Sequence, residues 1–570
     1  MKMKKNNLKT QHIIQFSFSL AILVLVGYIS SRAFFRIDLT SEKRFTLSQE
    51  TKKILKGLDD QVYIKVYLDG DLPIGFKKLR SSVLETLNEF RVIAGDNIQY
   101  EFINPAESND PKARNEVYSE LYRKGLKPTN IESRDEEGGM SQKTIFPGAL
   151  VSYGGNEVPV TLLDNNLGAS AEENLNYSTQ TIEYQLIKTI YTLTQKNIEK
   201  IAFIEGHGEL NELQVNDISK ELSNYFQINR GAINGKLGIL DDYKAVIIAK
   251  PTMPFSESDK LVLDQYIMNG GKVLWFIDEV NVNIDSLASS GSTFAFINNL
   301  NLDDQLFTYG ARINPNLVMD VQCNILPVQT EVSGNKPKFV PAPWMYYPLI
   351  SPLVDHPITR NLNLLFCRFV SQIDTVGEDP AIKKTVLLKT SEYTKLVNVP
   401  VMISLSEVRH TPEKQEFNKS HQAVAVLLEG KFTSLFGSRN TNNIIPGSAA
   451  KFKSESKPTG MIVVADGDFI ANDVKITPQG PTTAPLGYDK YTRQTFGNKD
   501  FVVNAVNYLT DESGLISLRN KNFKLRILDK ERIRNEKFKW QFINVVLPVL
   551  ITMLFGVFYF YYRRKKYSRN

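Results

Sequence analysis

From Ile13 to Ile29 the chain is apolar apart from Gln15, Ser17 and Ser19, and from Phe542 to Tyr562 it carries no charge. Each run is about long enough to cross a hydrocarbon core of ~30 Å as a helix. Between them the pattern switches repeatedly from a two-residue to a helical repeat, as alternating strands and helices do. The chain therefore reads as a two-span membrane protein of α/β class. The spans fall at residues 13–31 and 541–562, with tails at 1–12 and 563–570 and a juxtamembrane segment at 521–540.

The first outer domain is placed at residues 48–196. After the polar entry Arg36–Thr51, Ser48 caps a short helix reaching Leu58. Val62, Ile64, Val66 and Leu68 fall on one face of a strand. Phe76, Leu79, Val83, Leu87 and Phe90 then repeat at helical spacing, and Ile98–Pro105 is a second strand. Lys112–Lys124 reads as a helix capped by Gly125. A hairpin follows over Gly148–Leu163, turning at Gly154-Gly155-Asn156. A long helix after Ser178 turns Ile182, Leu186, Ile190 and Leu193 inward, and Ser133–Lys143 reads as a solvated loop. This β-α-β-α-β-β-α order resembles a thioredoxin fold. A thioredoxin carries Cys-x-x-Cys at the start of its first helix, where this chain has Asp71-Leu-Pro-Ile-Gly75. Without a thiolate there is no disulfide exchange, so the domain is expected to be a scaffold or a binding surface.

The second outer domain is placed at 197–280 and 459–520. Ile201–Ile204, Ala245–Ala249, Lys272–Asp278 and Met461–Val464 are continuous apolar runs alternating with helices, the mark of a Rossmann-like parallel sheet. The helices carry Val215, Ile218, Leu222 and Phe226 after an Asn211 cap, a Ser256–Asp259 capping box, and Asp500–Leu509. Four loops leave the carboxyl ends of the strands: Glu205–Glu209, Lys250–Thr252, Asp278–Glu279 and Asp466–Asp468. Ligands bind at that edge of open α/β sheets. Glu205, His207, Glu209, Asp278, Asp466 and Asp468 are the candidate ligand-binding residues.

His207 stands between Gly206 and Gly208, where a hydrolase elbow places Ser or Cys. No hydroxyl or thiol partner is evident, and neither cysteine lies at a strand end. The simpler reading is a tight turn whose acids cap helices or bond to loop backbone. No catalytic residue, metal set or cofactor is assigned. Residues 281–458 form a β-rich insertion, strand-rich at Leu306–Asp320 and Ala423–Phe436. Within it Trp344, Tyr346 and Tyr347 make either a contact surface or a small satellite core. Arg439–Gly460 and Thr477–Gly487 read as linkers.

Charge changes the picture at the ends. The net +6 thickens there, with Lys2, Lys4, Lys5 and Lys9 before the first span and Arg563–Lys566 after the second. Basic tails belong in the cytoplasm, so the region from Arg32 to Lys539 faces the periplasm. The alternative for the first span is a cleaved signal peptide, although no clear small-x-small site follows Gly27. Cys323 and Cys367 can pair in an oxidising compartment but are not a disulfide framework. No nucleic-acid signature appears, nor a Walker loop for ATP hydrolysis.

The stretches Ile37–Ser48 (IDLTSEKRFTLS), Ile201–Leu210 (IAFIEGHGEL), Val246–Val280, Leu427–Phe436, Val463–Asp473 and Gly497–Arg519 together resemble the GldG family. These are gliding-motility-associated auxiliary, or substrate-binding, subunits of a Bacteroidetes ABC transporter. The resemblance runs over nearly the whole chain. It implies a GldF-like permease, a separate GldA-like ATPase, an inner-membrane location and a role in gliding motility. It also implies a central domain similar to class I amidotransferase-like folds without their nucleophile. Three functional readings follow: a non-catalytic transporter subunit binding an envelope ligand or partner, a structural adaptor of the motility machinery, and an envelope hydrolase using the His207 loop.

Overall fold

The computed structural model of the 570-residue chain describes residues 6–32, 46–134, 140–164, 166, 169–195, 197–333, 336–352, 354–409, 412–520 and 530–567. It divides into two compact units, residues 1–521 and 522–570. In the second, a helix from Glu536 to Lys566 is long and apolar enough to cross a membrane. It contains the expected Phe542–Tyr562 run. At the other end the helix Asn6–Arg32 carries a shorter apolar stretch, Ile13–Tyr28. Among the described residues, one helix thus has the length and composition of a full span.

In the first sheet, Val62–Val66 pairs in parallel with Ile98–Phe102 and antiparallel with Gly148–Tyr153, which forms a hairpin with Asn156–Thr161. Gly154 and Gly155 both have positive φ, 56° and 87°, as a two-residue hairpin turn requires. Val62, Ile64 and Val66 are fully buried on one strand face against Leu79, Val83, Leu87 and Phe90 of the helix Ile74–Ala94. Removing side chains of this size from water stabilises by roughly 1.5–3 kcal/mol each.

Two readings change here. The long helix starts at Ala171, not after Ser178, because Ser170 and Glu173 form a capping box. Its first turn, Ala171-Glu-Glu-Asn174, is polar and carries no apolar repeat to announce it. Ser133–Lys143 is not simply a loop: Thr129–Arg134 and Met140–Ile145 pair as a ribbon, and residues 135–139 lie outside the described residues.

The second sheet has seven strands, in the order Ile382–Lys389, Ala423–Gly430, Thr459–Val464, Lys272–Phe276, Ala245–Ala249, Lys200–Glu205, Gln227–Ala232. The last five run parallel. The first two come from the 281–458 segment and each pairs antiparallel with its neighbour, so that Ala423–Gly430 runs against the other six and the sheet is mixed rather than wholly parallel. An apolar run such as Ala423–Leu428 marks a buried strand but says nothing of its direction. Asn211 and Gln214 exchange hydrogen bonds in a turn, and the helix they were expected to open begins at Asn216.

The inserted segment is moored by a buried carboxylate. Asp264, on the helix Glu257–Met268, accepts hydrogen bonds from Ser434 Oγ (2.6 Å), Tyr309 OH (2.8 Å) and Leu435 N (3.0 Å). Trp344, Tyr346 and Tyr347 are buried with Phe366 and Phe369 in a core of their own, so they are not an exposed contact surface. Short helical turns at Thr441–Asn443 and Ser448–Lys451 replace part of the expected linker, and Val474–Thr477 pairs with Gly480–Thr483. Cys323 and Cys367 are both free thiols.

Candidate functional site

The candidate acids and His207 fall into two groups at the carboxyl edge of the seven-stranded sheet. The first is the loop after Lys200–Glu205. Gly208 has φ 72°, and a Cβ there would lie 2.1 Å from Thr252 Oγ1, so only glycine fits. The loop folds His207 inward to 5% exposure. Its ring lies flat on Phe255, with centroids 3.6 Å apart and 12° between planes. Nδ1 is 3.1 Å from Glu209 Oε1, and Nε2 is 3.1 Å from Asp259 Oδ2. Burial opposes the charged imidazole, but the hydrogen bonds and charges of Glu209 and Asp259 outweigh it, and the pKa is raised. Glu209 Oε2 also accepts from the His207 N–H at 2.7 Å. With both ring nitrogens engaged by carboxylates, His207 has no free nitrogen to take a proton from a nucleophile. Glu205 turns away to Arg230, 2.8 Å from its Nε.

The second group joins the ends of three adjacent parallel strands. Lys250 follows Ala245–Ala249 with φ 53°, and its Nζ reaches Asp468 Oδ1 at 2.5 Å and Asp278 Oδ2 at 3.2 Å. Asp278 Oδ1 accepts from Gly467 N at 2.5 Å. Burial raises the Asp278 pKa to about 6, against the pull of Lys250. Asp466 is fully buried. Its Oδ2 accepts from Arg368 N at 2.7 Å, while Oδ1 has no hydrogen-bond partner. Burial, with Asp278 and Asp468 nearby, pushes its pKa well above the carboxylate range. Burial beside that carboxyl likewise pushes the Cys367 thiol well up, which removes it as a thiolate. Thr252 N and Met253 N both bond to His207 O at 2.9 Å, so the loop after Lys250 ties the two groups together.

Among the described residues no set of three or more His, Cys, Asp or Glu side chains is arranged to hold a metal ion. The Lys250 ammonium occupies the centre of the acidic group. The pattern of acids after apolar strands located Asp278, Asp466 and Asp468; it placed Lys250 in a strand-end loop but did not select it as a binding residue. It also passed over Asp259, disguised as a helix-capping acid, and over Arg230 and Arg368, which no local motif marks.

A family profile described as an ABC-type uncharacterized transport system matches residues 199–505, more than half of the chain. The chain belongs to this family. It is an auxiliary component of an ABC transporter, which implies permease and ATPase partners. Both charged groups lie inside the matched stretch. Residues 41–152 of the transporter auxiliary chain match a second profile, a domain of unknown function. An uncharacterized protein of Borreliella burgdorferi is 21% identical over 577 residues, covering 98% of this chain and 99% of its own. Among solved structures, the mmIFT52 N-terminal domain aligns at 12% identity with TM-score 0.30, over 55% of this chain and 97% of that one. Exo-beta-1,4-mannosidase Op5Man5 from Opitutaceae bacterium strain TAV5 aligns at 14% identity with TM-score 0.17, over 55% and 42%. Both scores are too low to support a structural argument.

Proposed function

We propose that this chain is a non-catalytic auxiliary subunit that links a GldF-like permease and a GldA-like ATPase to an envelope partner, in the manner of the gliding-motility subunits it resembles. On this reading both apolar helices span the inner membrane, both tails are cytoplasmic and the outer region is periplasmic. That region comprises a thioredoxin-like domain at 48–196 and a Rossmann-like, amidotransferase-like domain at 197–280 and 459–520 that carries the insertion. The transporter-family match supports the subunit role, and the basic tails support the orientation.

The observation that carries the non-catalytic part is internal charge compensation at the sheet edge. His207 is held by Glu209 and Asp259, Lys250 by Asp278 and Asp468, and Glu205 by Arg230. We read Glu205, His207, Glu209, Asp278, Asp466 and Asp468 as the residues that brace a rigid sheet edge for a protein partner, with the half-exposed Glu205 carboxylate at its surface and the side chains of His207, Glu209 and Asp466 buried beneath it. The hydrolase reading needs a free base and a nucleophile there, and the geometry favours neither. A chain keeping both apolar helices but lacking residues 46–520 tests the proposal in a host that depends on the transporter. Loss of the phenotype, with permease and ATPase still present, is expected. A phenotype that survives removes the outer region from the function.

A further inference from the structure

Away from the sheet edge, a cleft of about 500 Å³ opens where the helix Ala171–Thr194 meets the second sheet's helices. Small-molecule sites commonly measure ~300–1,000 Å³. Four acids line it and all are engaged. Glu157 pairs with Lys124 at 2.9 Å, and Lys244 pairs with both Glu199 and Glu512. Asp511 accepts from the backbone of Ser513, Gly514 and Ile516.

Two donors in the lining, Lys188 on the helix Ala171–Thr194 and Asn507 on the helix Asn498–Thr510, have no ion pair or side-chain hydrogen bond among the described residues. Lys188 Nζ sits over the Tyr225 ring, 4.1 Å from its centroid, and has no carboxylate within ion-pair distance among the described residues. Burial lowers its pKa to about 8, with Glu221, Arg519 and Asp500 acting at longer range. The Asn507 side-chain nitrogen is buried without a hydrogen-bond partner. Such groups are normally satisfied, and an orphan donor in a cleft points to an acceptor supplied by a ligand. Tyr184, Tyr191 and Tyr225 also line the cleft.

We propose that this cleft binds a small organic carboxylate, its anionic group on Lys188 and the Asn507 amide and its body against the tyrosine rings. A single unpaired ammonium matches a monoanion. A phosphate dianion would meet one cation among four acids. The inference rests on the chain being a binding rather than a catalytic subunit, and it supplies the ligand class that the sheet edge does not.

The test uses the full chain in detergent and the ¹⁹F NMR linewidth of three probes: 4-fluorobenzoate, neutral 4-fluorobenzamide and cationic 4-fluorobenzamidine. Selective broadening of the benzoate is expected. It should be lost in Lys188→Met, kept in Lys188→Arg, and weakened at least tenfold in Asn507→Asp, which places an anion where the donor stood. The proposal is overturned if benzoate is not broadened, if the neutral or cationic probe is broadened equally, or if Asn507→Asp leaves binding unchanged. The last comparison stands even where Lys188→Met fails to fold. Recovery of permease and ATPase with the chain is a separate observation, so benzoate binding can fail while the subunit reading stands, and the reverse.

Discussion

The ring of His207 is sandwiched flat on Phe255 while its two nitrogens face Glu209 and Asp259, each at 3.1 Å. The folded state therefore binds the imidazole proton more tightly than the unfolded chain, whose histidine titrates near 6.5. A raised folded pKa contributes stability that is fully present below 6.5 and is lost as pH rises through the folded value. NMR titration of the ring should give a pKa above 6.5. The thermal stability gap between wild type and His207→Gln should narrow as pH rises from there. A gap that widens with pH contradicts the imidazolium assignment.

Among the described residues, Lys250 is the one cation ion-paired with Asp278 and Asp468. Lys250→Met leaves buried carboxylates uncompensated and is expected to cost roughly 3–5 kcal/mol near pH 7.5. Asp278 has a folded pKa raised from 3.8 to about 6, so its contribution is most favourable at low pH and is lost as pH rises through about 6. Urea unfolding should show the variant regaining part of its deficit near pH 5. Equal loss at both pH values would show that the ammonium does not neutralise the group.

Glu279 is buried at the end of the next loop, and burial raises its pKa from 4.5 to about 8, with Asp303 adding to it. Its stabilising effect is complete below 4.5 and disappears as pH rises through about 8. Glu279→Gln removes that dependence. Above pH 8 it should exceed wild type in stability by ~1 kcal/mol or more, measured by denaturant midpoint.

Gly208→Ala tests the loop itself. The left-handed φ of 72° and the 2.1 Å approach to Thr252 Oγ1 both oppose a Cβ. A loss of roughly 1–3 kcal/mol is expected, with Thr252→Ser failing to restore it because the hydroxyl remains.

Much of this architecture was legible because period decides it. Val62, Ile64 and Val66 alternate, and Phe76 to Phe90 repeat at helical spacing, so their elements needed no tertiary information. The strand direction of Ala423–Gly430 was not legible, since a continuous apolar run looks the same either way. Nor was the pairing within the site. Asp278 and Asp466 are nearly two hundred residues apart in sequence, on neighbouring strands, and Lys250 lies on the strand beyond. The sequence marks each as a strand-end residue, while the balance of charge among them exists only once the sheet has formed. Lys188 and Asn507 carry no local signal at all, because their isolation is a property of the cleft they share.

The most direct measurement is native mass spectrometry of the chain extracted from its own membranes in mild detergent. A complex whose mass is the sum of this chain, an ABC permease and an ATPase is expected. Recovery of the chain alone, with both candidate partners fully expressed in the same membranes, would contradict it.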